Sequence, residues 1–264
     1  MTILEEIAEH TARRIRDRKR LVPVELVRER AYGMTRGSFA FERALGRPGL
    51  AFICECKKAS PSKGLIAEDF PYLEIAKAYE AAGADCISVL TEPKWFLGRD
   101  LYLEEIAANV SLPCIRKDFT VDEYMIYEAK CMGASAVLLI CAILTPTRLE
   151  RFMGICEDLG LTALVEAHDE AEVRMALAAG ARVIGVNNRN LKDFSVDTEN
   201  SRRLRELIPP GVTFVSESGV KGPEDIAEIA RMGADAVLVG EALMRSPDKA
   251  AMLAAFREAA AKGR

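Results

Sequence analysis

The chain has 264 residues, of which 50% are hydrophobic and 29% are charged, and its formal net charge is −4 at pH 7. This length suits one globular domain, and no apolar run approaches the roughly 20 residues that a membrane helix requires. The start of the chain, from Met1 to Glu6, has neither a basic leader nor an apolar segment of signal-peptide length. We therefore expect a cytoplasmic protein with no membrane partner.

Two helices are predicted at the N-terminus, from Leu4 to Arg20 and from Pro23 to Ala31. The first contains a basic run, Arg13 to Arg20, which is a pattern also found in nucleic-acid and membrane patches. The overall negative charge and the one-sided apolar positions, such as Ile7 and Ile15, favour a solvated helix face instead. We expect no nucleic-acid partner.

Eight apolar runs after these helices predict buried strands, because parallel strands covered on both faces are almost continuously hydrophobic. In chain order the runs are Ala51 to Glu55, Cys86 to Leu90, Pro113 to Arg116, Ala136 to Ile140, Thr162 to Glu166, Val183 to Val186, Thr213 to Glu217 and Ala236 to Val239.

Every second predicted helix ends at a repeated Gly-Ala pair, whose glycines are Gly83, Gly133, Gly180 and Gly233. Glycine adopts the left-handed conformation that follows a helix without a steric penalty. This four-quarter repeat favours an α/β fold of the (β/α)8 TIM barrel type over an open parallel sheet. Residues 1–264 would then form one barrel domain, and residues 1–45 would be an N-terminal helical extension of it.

Local signals predict where several of the barrel helices begin. Thr120 and Glu123 have the spacing of a capping box, and Pro146 and Pro247 suit a first helical position. The segment after Gly222 adds acidic residues, which are favourable at a positive helix end.

The cysteines and histidines do not form a recognisable metal or cofactor motif. Cys54 and Cys56 share one face of a predicted strand, and Glu55 and Lys57 lie on the opposite face. The seven cysteines are expected to be reduced core residues. The sequence has only two histidines and no zinc-protease, P-loop or dinucleotide pattern in a suitable context. We expect neither a metal nor a cofactor.

Polar groups at the ends of the predicted strands are the candidate catalytic residues, because active sites of barrels lie at the C-terminal strand ends. They are Glu55, Lys57, Lys117, Glu166, Asn187 and Glu217. Single charges of this kind also occur as solvated ion pairs at loop starts. Together they favour proton-transfer chemistry on a polar substrate, since a lysine held among apolar walls can donate a proton near neutral pH.

A second cluster predicts how such a substrate is held. Ser218 and Gly219 follow the seventh predicted strand and Gly240 follows the eighth. In many barrels these two loops bind phosphate through backbone N–H groups. We therefore expect a phosphorylated small molecule as the binding partner.

Six ordered motifs resemble the indole-3-glycerol phosphate synthase family of tryptophan biosynthesis. They are Glu55 to Gly64, Arg116 to Phe119, Leu164 to His168, Ile184 to Leu191, Ser216 to Gly219 and Leu238 to Met244. This resemblance implies ring closure of 1-(2-carboxyphenylamino)-1-deoxyribulose 5-phosphate to indole-3-glycerol phosphate, with loss of carbon dioxide and water and without a cofactor. It also implies a monofunctional monomer whose N-terminal extension packs over the barrel mouth.

The resemblance also implies roles for the strand-end residues. Lys117 would be the general acid at the ketone oxygen during ring closure. Glu55, Lys57 and Glu166 are candidates for the acid and base of dehydration, and their division of labour stays open. Asn187 and Glu217 would orient the substrate.

The expected binding residues include an aromatic and aliphatic wall for the anthranilate ring, the phosphate loops and an arginine for an anionic group. They are Ser60, Trp95, Phe96, Phe119, Leu138, Arg189, Ser218, Gly219, Leu238, Gly240 and Glu241. For Trp95, packing away from the ligand is an alternative. Glu241 would repel a phosphate unless its side chain points away from it.

Two other classes share the phosphate loops: another phosphate-binding barrel, such as a sugar-phosphate isomerase, and a non-catalytic ligand-binding barrel. Neither would require Glu55, Lys57, Lys117 and Glu166 together.

Overall fold

The computed structural model describes residues 2–190 and 194–264. Three helices precede the first strand: α1 (Ile3–Leu21), α2 (Val24–Gly33) and α3 (Ala40–Leu45). The strands are β1 (Ala51–Cys56), β2 (Ala59–Ser60), β3 (Gly64–Leu65), β4 (Cys86–Leu90), β5 (Cys114–Lys117), β6 (Ala136–Ile140), β7 (Thr162–Ala167), β8 (Val183–Asn187), β9 (Thr213–Glu217) and β10 (Ala236–Val239). The later helices are α4 (Tyr72–Ala81), α5 (Asp100–Asn109), α6 (Glu123–Cys131), α7 (Pro146–Leu159), α8 (Glu170–Ala178), α9 (Glu199–Arg205), α10 (Pro223–Arg231), α11 (Glu241–Arg245) and α12 (Lys249–Gly263).

Eight of these strands form a closed parallel barrel, in the order β1-β10-β9-β8-β7-β6-β5-β4. Closure is made by β1, which pairs with β4 on one side and with β10 on the other, where Ala51 lies opposite Ala236. The predicted barrel is therefore confirmed and the open sheet is wrong. β2 and β3 form a separate antiparallel hairpin after β1, which was not predicted.

The repeated glycines have the predicted conformation, with φ angles between 77° and 88°. Gly83, for example, follows the C-cap of α4, and its φ angle of 88° lies outside the backbone conformations that other residues favour. Each of these glycines lets the chain turn from a helix into the next barrel strand.

The predicted helix starts are confirmed at two positions and wrong at two. Thr145 caps α7 ahead of its proline, and the Gly222 N–H donates to Asp225 at the start of α10. Asp122, not Thr120, caps α6, because its carboxylate accepts the Tyr124 N–H at 2.9 Å.

The last helix also begins later than predicted. Asp248 caps α12 by accepting the Ala251 N–H at 2.9 Å, so Pro247 lies before the helix. Among the described residues, no helix is both long and apolar enough to cross a bilayer.

The buried side chains form two layers. One lies between the strands and the surrounding helices and contains Cys54 and Cys56, as strand alternation predicts. Burial raises the pKa of both thiols, so they stay protonated. All seven cysteines are free, and six are buried; Cys131, at the end of α6, is exposed, which corrects the expectation that it belongs to the core.

The second layer fills the barrel interior and is closed at one end by α3. Phe41 and Leu45 of this helix pack with interior residues such as Ile53 and Leu164. The N–H of Glu42 donates to Thr162 Oγ1, at the first residue of β7, at 3.1 Å. α3 therefore lies at the N-terminal strand ends, opposite the mouth of the barrel. This position differs from the expectation that residues 1–45 lie over the mouth.

The basic run of α1 is anchored to the barrel rather than simply solvated. Arg14 donates to both oxygens of the buried Asp118, at 2.8 and 2.9 Å. Arg18 pairs with Glu128 at 2.8 Å and also contacts Asp100. Lys19 pairs with Asp122 at 2.7 Å. Three of the six basic side chains from Arg13 to Arg20 therefore bind carboxylates that follow or flank β5, which corrects the expectation of a solvated face.

The pairing of Arg14 gives a stability prediction. We expect Arg14→Met to lower the free energy of unfolding by about 2 kcal/mol, below the ~3–5 kcal/mol of a fully orphaned buried charge, because Thr91 and the Phe119 N–H still donate to Asp118. Arg13→Met is the matched control, since Arg13 pairs with the exposed Glu9. Urea unfolding measures both, and equal effects would contradict the anchoring role.

Candidate active site

A cavity of about 940 Å³ opens at the C-terminal ends of the barrel strands. Part of its wall is the first turns of α1, through Ile3, Leu4 and Ile7. All predicted catalytic and binding residues except Trp95 line it: Glu55, Lys57, Ser60, Phe96, Lys117, Phe119, Leu138, Glu166, Asn187, Arg189, Glu217, Ser218, Gly219, Leu238, Gly240 and Glu241. Leu191, the last residue of one quoted motif, lies outside the described residues.

Trp95 is placed away from the cavity. Its ring packs edge-on against His10 of α1, with 5.2 Å between the ring centroids, and Lys94 lies over its face. The buried Glu92 accepts the backbone N–H groups of Trp95 and Phe96 and so fixes this loop. Of the two aromatic residues, only Phe96 faces the cavity, so the predicted contact between Trp95 and a substrate ring is corrected to a packing role.

Two lysines and three glutamates meet at the cavity floor. Lys117 Nζ lies 3.3 Å from Glu166 Oε2 and 3.3 Å from Glu217 Oε2. Lys57 Nζ lies 2.8 Å from Glu55 Oε1, and Ser88 Oγ donates to the other oxygen of Glu55 at 3.1 Å. Strand alternation brings these side chains inward from β1, β5, β7 and β9.

The surroundings of Lys117 differ from the apolar walls that the sequence suggested. Burial alone would lower the pKa of Lys117, but the nearby Glu217, Glu166 and Glu55 outweigh it and raise the pKa above its usual value. The ammonium is therefore protonated before any substrate arrives. It can donate a hydrogen bond, and then a proton, to an oxygen on which negative charge develops.

The three carboxylates are not equivalent. Burial raises the pKa of Glu55 and of Glu166, but Lys57 and Lys117 reverse this for Glu55, and Lys117 and His168 reverse it for Glu166, so the net direction for both is downward. Burial, together with the charge of Glu166, raises the pKa of Glu217 to about 7 against the opposing effect of Lys117. The floor thus contains two ionised carboxylates and a third that holds a proton up to neutral pH.

The position of Glu217 depends on a glycine that sequence reasoning did not single out. A Cβ atom at Gly185 of β8 would lie 2.0 Å from Glu217 Oε1. A glycine inside a buried strand is the sequence signal that could have found this close approach. Similarly, a Cβ at Gly240 would lie 2.6 Å from Glu55 Oε1 and 2.9 Å from Lys57 Nζ.

The side chain of Glu241 is held by neighbouring cations. It pairs with Arg245 at 3.1 Å and with Lys63, from the turn of the β2–β3 hairpin, at 3.6 Å. Lys63 and Arg245 line the same cavity. The carboxylate is therefore partly neutralised, which reduces its repulsion of an anion near Gly240.

Comparison with known proteins identifies the family. The sequence profile of the indole-3-glycerol phosphate synthase family matches residues 4–256. A protein of this name from Ruminiclostridium cellulolyticum is 55% identical over 259 residues, which cover 98% of this chain and 100% of that protein. The chain belongs to the indole-3-glycerol phosphate synthase family. A further member of the synthase family, from Thermoanaerobacter pseudethanolicus, is 46% identical over 93% of this chain and 94% of its own length.

Solved structures of other enzymes share the fold. The 3-hexulose-6-phosphate synthase of Salmonella typhimurium matches with a TM-score of 0.64 at 14% identity, over 81% of this chain and 100% of that one. Thiamine phosphate pyrophosphorylase from Pyrococcus furiosus gives a TM-score of 0.62 at 16% identity, over 84% and 98%. At these identities the likeness concerns the barrel alone, not the chemistry of the synthase family.

The raised pKa of Glu217 predicts how its removal changes stability with pH. The stability that protonated Glu217 contributes is fully present below pH 4.5, where the folded and the unfolded chain both hold this proton. As the pH rises to about 7 this stability is lost, because the unfolded chain releases the proton first and the unfolded state is thereby favoured. Relative to wild type, Glu217→Gln should therefore gain about 1–3 kcal/mol of unfolding free energy between pH 5 and pH 8.

Urea unfolding at several pH values measures this difference. Glu224→Gln, on the exposed surface of α10, controls for the substitution itself. A Glu217→Gln difference that is flat with pH, or that falls as the pH rises, would contradict a raised pKa.

Proposed function

We propose that the chain catalyses the ring closure of 1-(2-carboxyphenylamino)-1-deoxyribulose 5-phosphate to indole-3-glycerol phosphate in tryptophan biosynthesis. It would do so as a carboxy-lyase, with release of carbon dioxide and water. The observation that carries the proposal is the protonated Lys117 held between Glu166 and Glu217 at the floor of the mouth cavity. Family membership supports the substrate, and this ion cluster supports the chemistry.

Ring closure uses Lys117 as the general acid. The aromatic carbon that bears the carboxylate attacks the ketone carbon, and the ketone oxygen takes the proton of the ammonium as its charge develops. The bond to the carboxylate then breaks, carbon dioxide leaves, and its electron pair restores the aromatic ring. The nearby glutamates offset the desolvation cost of a buried ammonium before the reaction and stabilise its charge.

Dehydration requires an acid at the departing hydroxyl and a base for the proton that is lost from the new ring. The Lys57–Glu55 pair and Glu166 are the groups at the floor that offer these functions. Asn187 lines the same cavity, its side-chain amide donates a hydrogen bond to Glu166, and it would orient the substrate as a neutral polar group.

The substrate would lie across the cavity with its two anionic ends apart. Phe96 and Phe119, whose ring centroids are 6.0 Å apart, and Leu138 form an apolar wall for the anthranilate ring. Backbone N–H groups at Ser218, Gly219 and Gly240 would bind the phosphate. Ser60 and Arg189 contribute further polar groups, and the apolar start of α1 would cover the ring and exclude water.

Turnover of the wild type and of Lys117→Met, followed by the absorbance or fluorescence of the indole product, tests this function. We expect the variant to lose about 10²–10⁴-fold in kcat, because the proton donor is removed, while substrate affinity by calorimetry changes less than about tenfold, because the phosphate loops and the apolar wall stay in place. Lys94→Met, on a loop outside the cavity lining, should keep wild-type activity.

Each outcome of this assay shows which part of the proposal is wrong. Absence of wild-type turnover would overturn the function, whereas an active Lys117→Met variant would transfer the acid role to Lys57. Thermal unfolding of each variant establishes that a loss of activity is not a loss of fold.

We also propose that the protein acts as a monomer in the cytoplasm. The free cysteines suit a reducing compartment. The most exposed large hydrophobic side chains, such as Leu21, Leu65 and Leu101, belong to different elements. Sedimentation should give a mass near 29.0 kDa over a wide range of protein concentration, and a mass that rises to twice this value would contradict the proposal.

A further inference from the structure

His168 lies behind the catalytic floor, one residue beyond the end of β7. Its Nε2 is 3.4 Å from Glu166 Oε1, and its Nδ1 is 3.0 Å from Glu172 Oε2 of α8. The ring is mostly buried and is not among the residues that line the cavity. His168 therefore reaches the reaction site only through Glu166.

The contacts of the ring indicate where its protons are. Glu172 Oε2 also accepts the backbone N–H of His168 at 2.7 Å, so this carboxylate is fixed as the acceptor for Nδ1–H. Nε2 is buried and makes no standard hydrogen bond within the described part of the chain, and the oxygen that faces it is Glu166 Oε1. The 3.4 Å contact lacks hydrogen-bond geometry, so it is a charge contact, which is attractive when Nε2 is protonated and repulsive when Nε2 carries a bare lone pair.

We propose that the Glu172–His168 pair is a positioning device for Glu166. The imidazolium holds Oε1 of Glu166 while Lys117 holds Oε2, so the carboxylate is fixed in orientation and kept ionised. His168 touches no reacting atom and acts through Glu166 alone. The inference rests on the proposed function, because it assigns Glu166 a part in that reaction.

The charges around the imidazole support this arrangement. Glu166 faces it from β7, Glu172 from α8 and Glu217 acts on it from β9, whereas Lys117 of β5 lies beyond Glu166. Asn200 of α9 contacts only its backbone carbonyl. Burial lowers the pKa of His168, but the hydrogen bond to Glu172 and the charges of Glu166 and Glu172 outweigh burial and raise the pKa above its usual value.

This direction predicts an alkaline limit to activity. Below its raised pKa, His168 is charged and Glu166 is held by two cations. As the pH rises through that pKa, the imidazolium is lost and Oε1 faces a lone pair, so kcat should fall on the alkaline side.

Histidine NMR tests the coupling without relying on turnover. The chain has only two histidines, so an isotope-labelled full-length sample gives two titrating rings, and His168→Gln assigns them. We expect the pKa of His168 to lie above the usual value for histidine and to fall in Glu172→Gln and in Glu166→Gln. Glu170→Gln, an exposed carboxylate on the same helix that pairs with Arg174, is the control and should leave it unchanged.

A pKa of His168 that does not move in Glu166→Gln would overturn the inference, whether or not the protein is a synthase. An absence of wild-type turnover would overturn the proposed function alone, because it says nothing about the coupling between His168 and Glu166. The two failures are therefore distinguishable.

Kinetics give the second readout. His168→Asn cannot reach Glu166 and should lower kcat about tenfold with KM changed less than about twofold. His168→Gln places a neutral donor near Oε1 and should retain most of kcat. Both should lose the alkaline limb that belongs to His168, and a His168→Asn pH profile that superimposes on the wild type would overturn the positioning role.

Discussion

The ammonium of Lys117 is the charge on which the barrel mouth depends, because without it three buried glutamates would face one another across a few ångströms. It contacts Glu166 and Glu217 directly, while Lys57 compensates Glu55. Two cations against three carboxylates leave one negative charge in excess, and this excess adds to burial in raising the pKa of Glu217. The floor is thus close to neutral and carries protons, but it offers little net attraction to an anionic substrate.

That attraction comes instead from the rim of the cavity. Lys63, Arg189, Lys221 and Arg245 all line it, and these side chains are more accessible than the floor. Proton transfer and anion capture are therefore separated in depth. This separation lets the floor be strongly desolvated without requiring that a phosphate be buried beside three carboxylates.

β5 connects the chemistry to the docking of α1 through three consecutive residues. Arg116 faces the helix layer and pairs with Asp100 and Glu128, at 2.9 and 3.2 Å. Lys117 faces the floor, and Asp118 receives Arg14 of α1. The helix that forms part of the cavity wall is therefore fixed to the same strand end that positions the proposed acid.

Much of this arrangement is predictable from the sequence, because burial on both faces makes the barrel strands apolar and the glycines after helices have a specific backbone role. Strand-end residues such as Lys117 and Glu166 follow from that register. The charged surroundings of Lys117 do not, since they come from β7 and β9, far away in sequence. The prediction for Trp95 was wrong because the direction of its side chain depends on hydrogen bonds to Glu92. The helix α3 was not predicted, because it has no side-chain cap that would mark its start in the sequence.

The placement of the first 45 residues has a consequence for how the chain folds. α1 is held by Asp118, Lys130 donates to the Thr35 carbonyl, and the segment before α3 bonds to Leu159 and Gly160. These partners are synthesised roughly a hundred residues after the segment itself, and β1 must wait still longer for β10. Long-range contacts of this kind slow folding. On the ribosome, the earliest segment to emerge is therefore among the last to reach its native position, and its apolar side chains, Phe41 included, stay uncovered until most of the barrel exists.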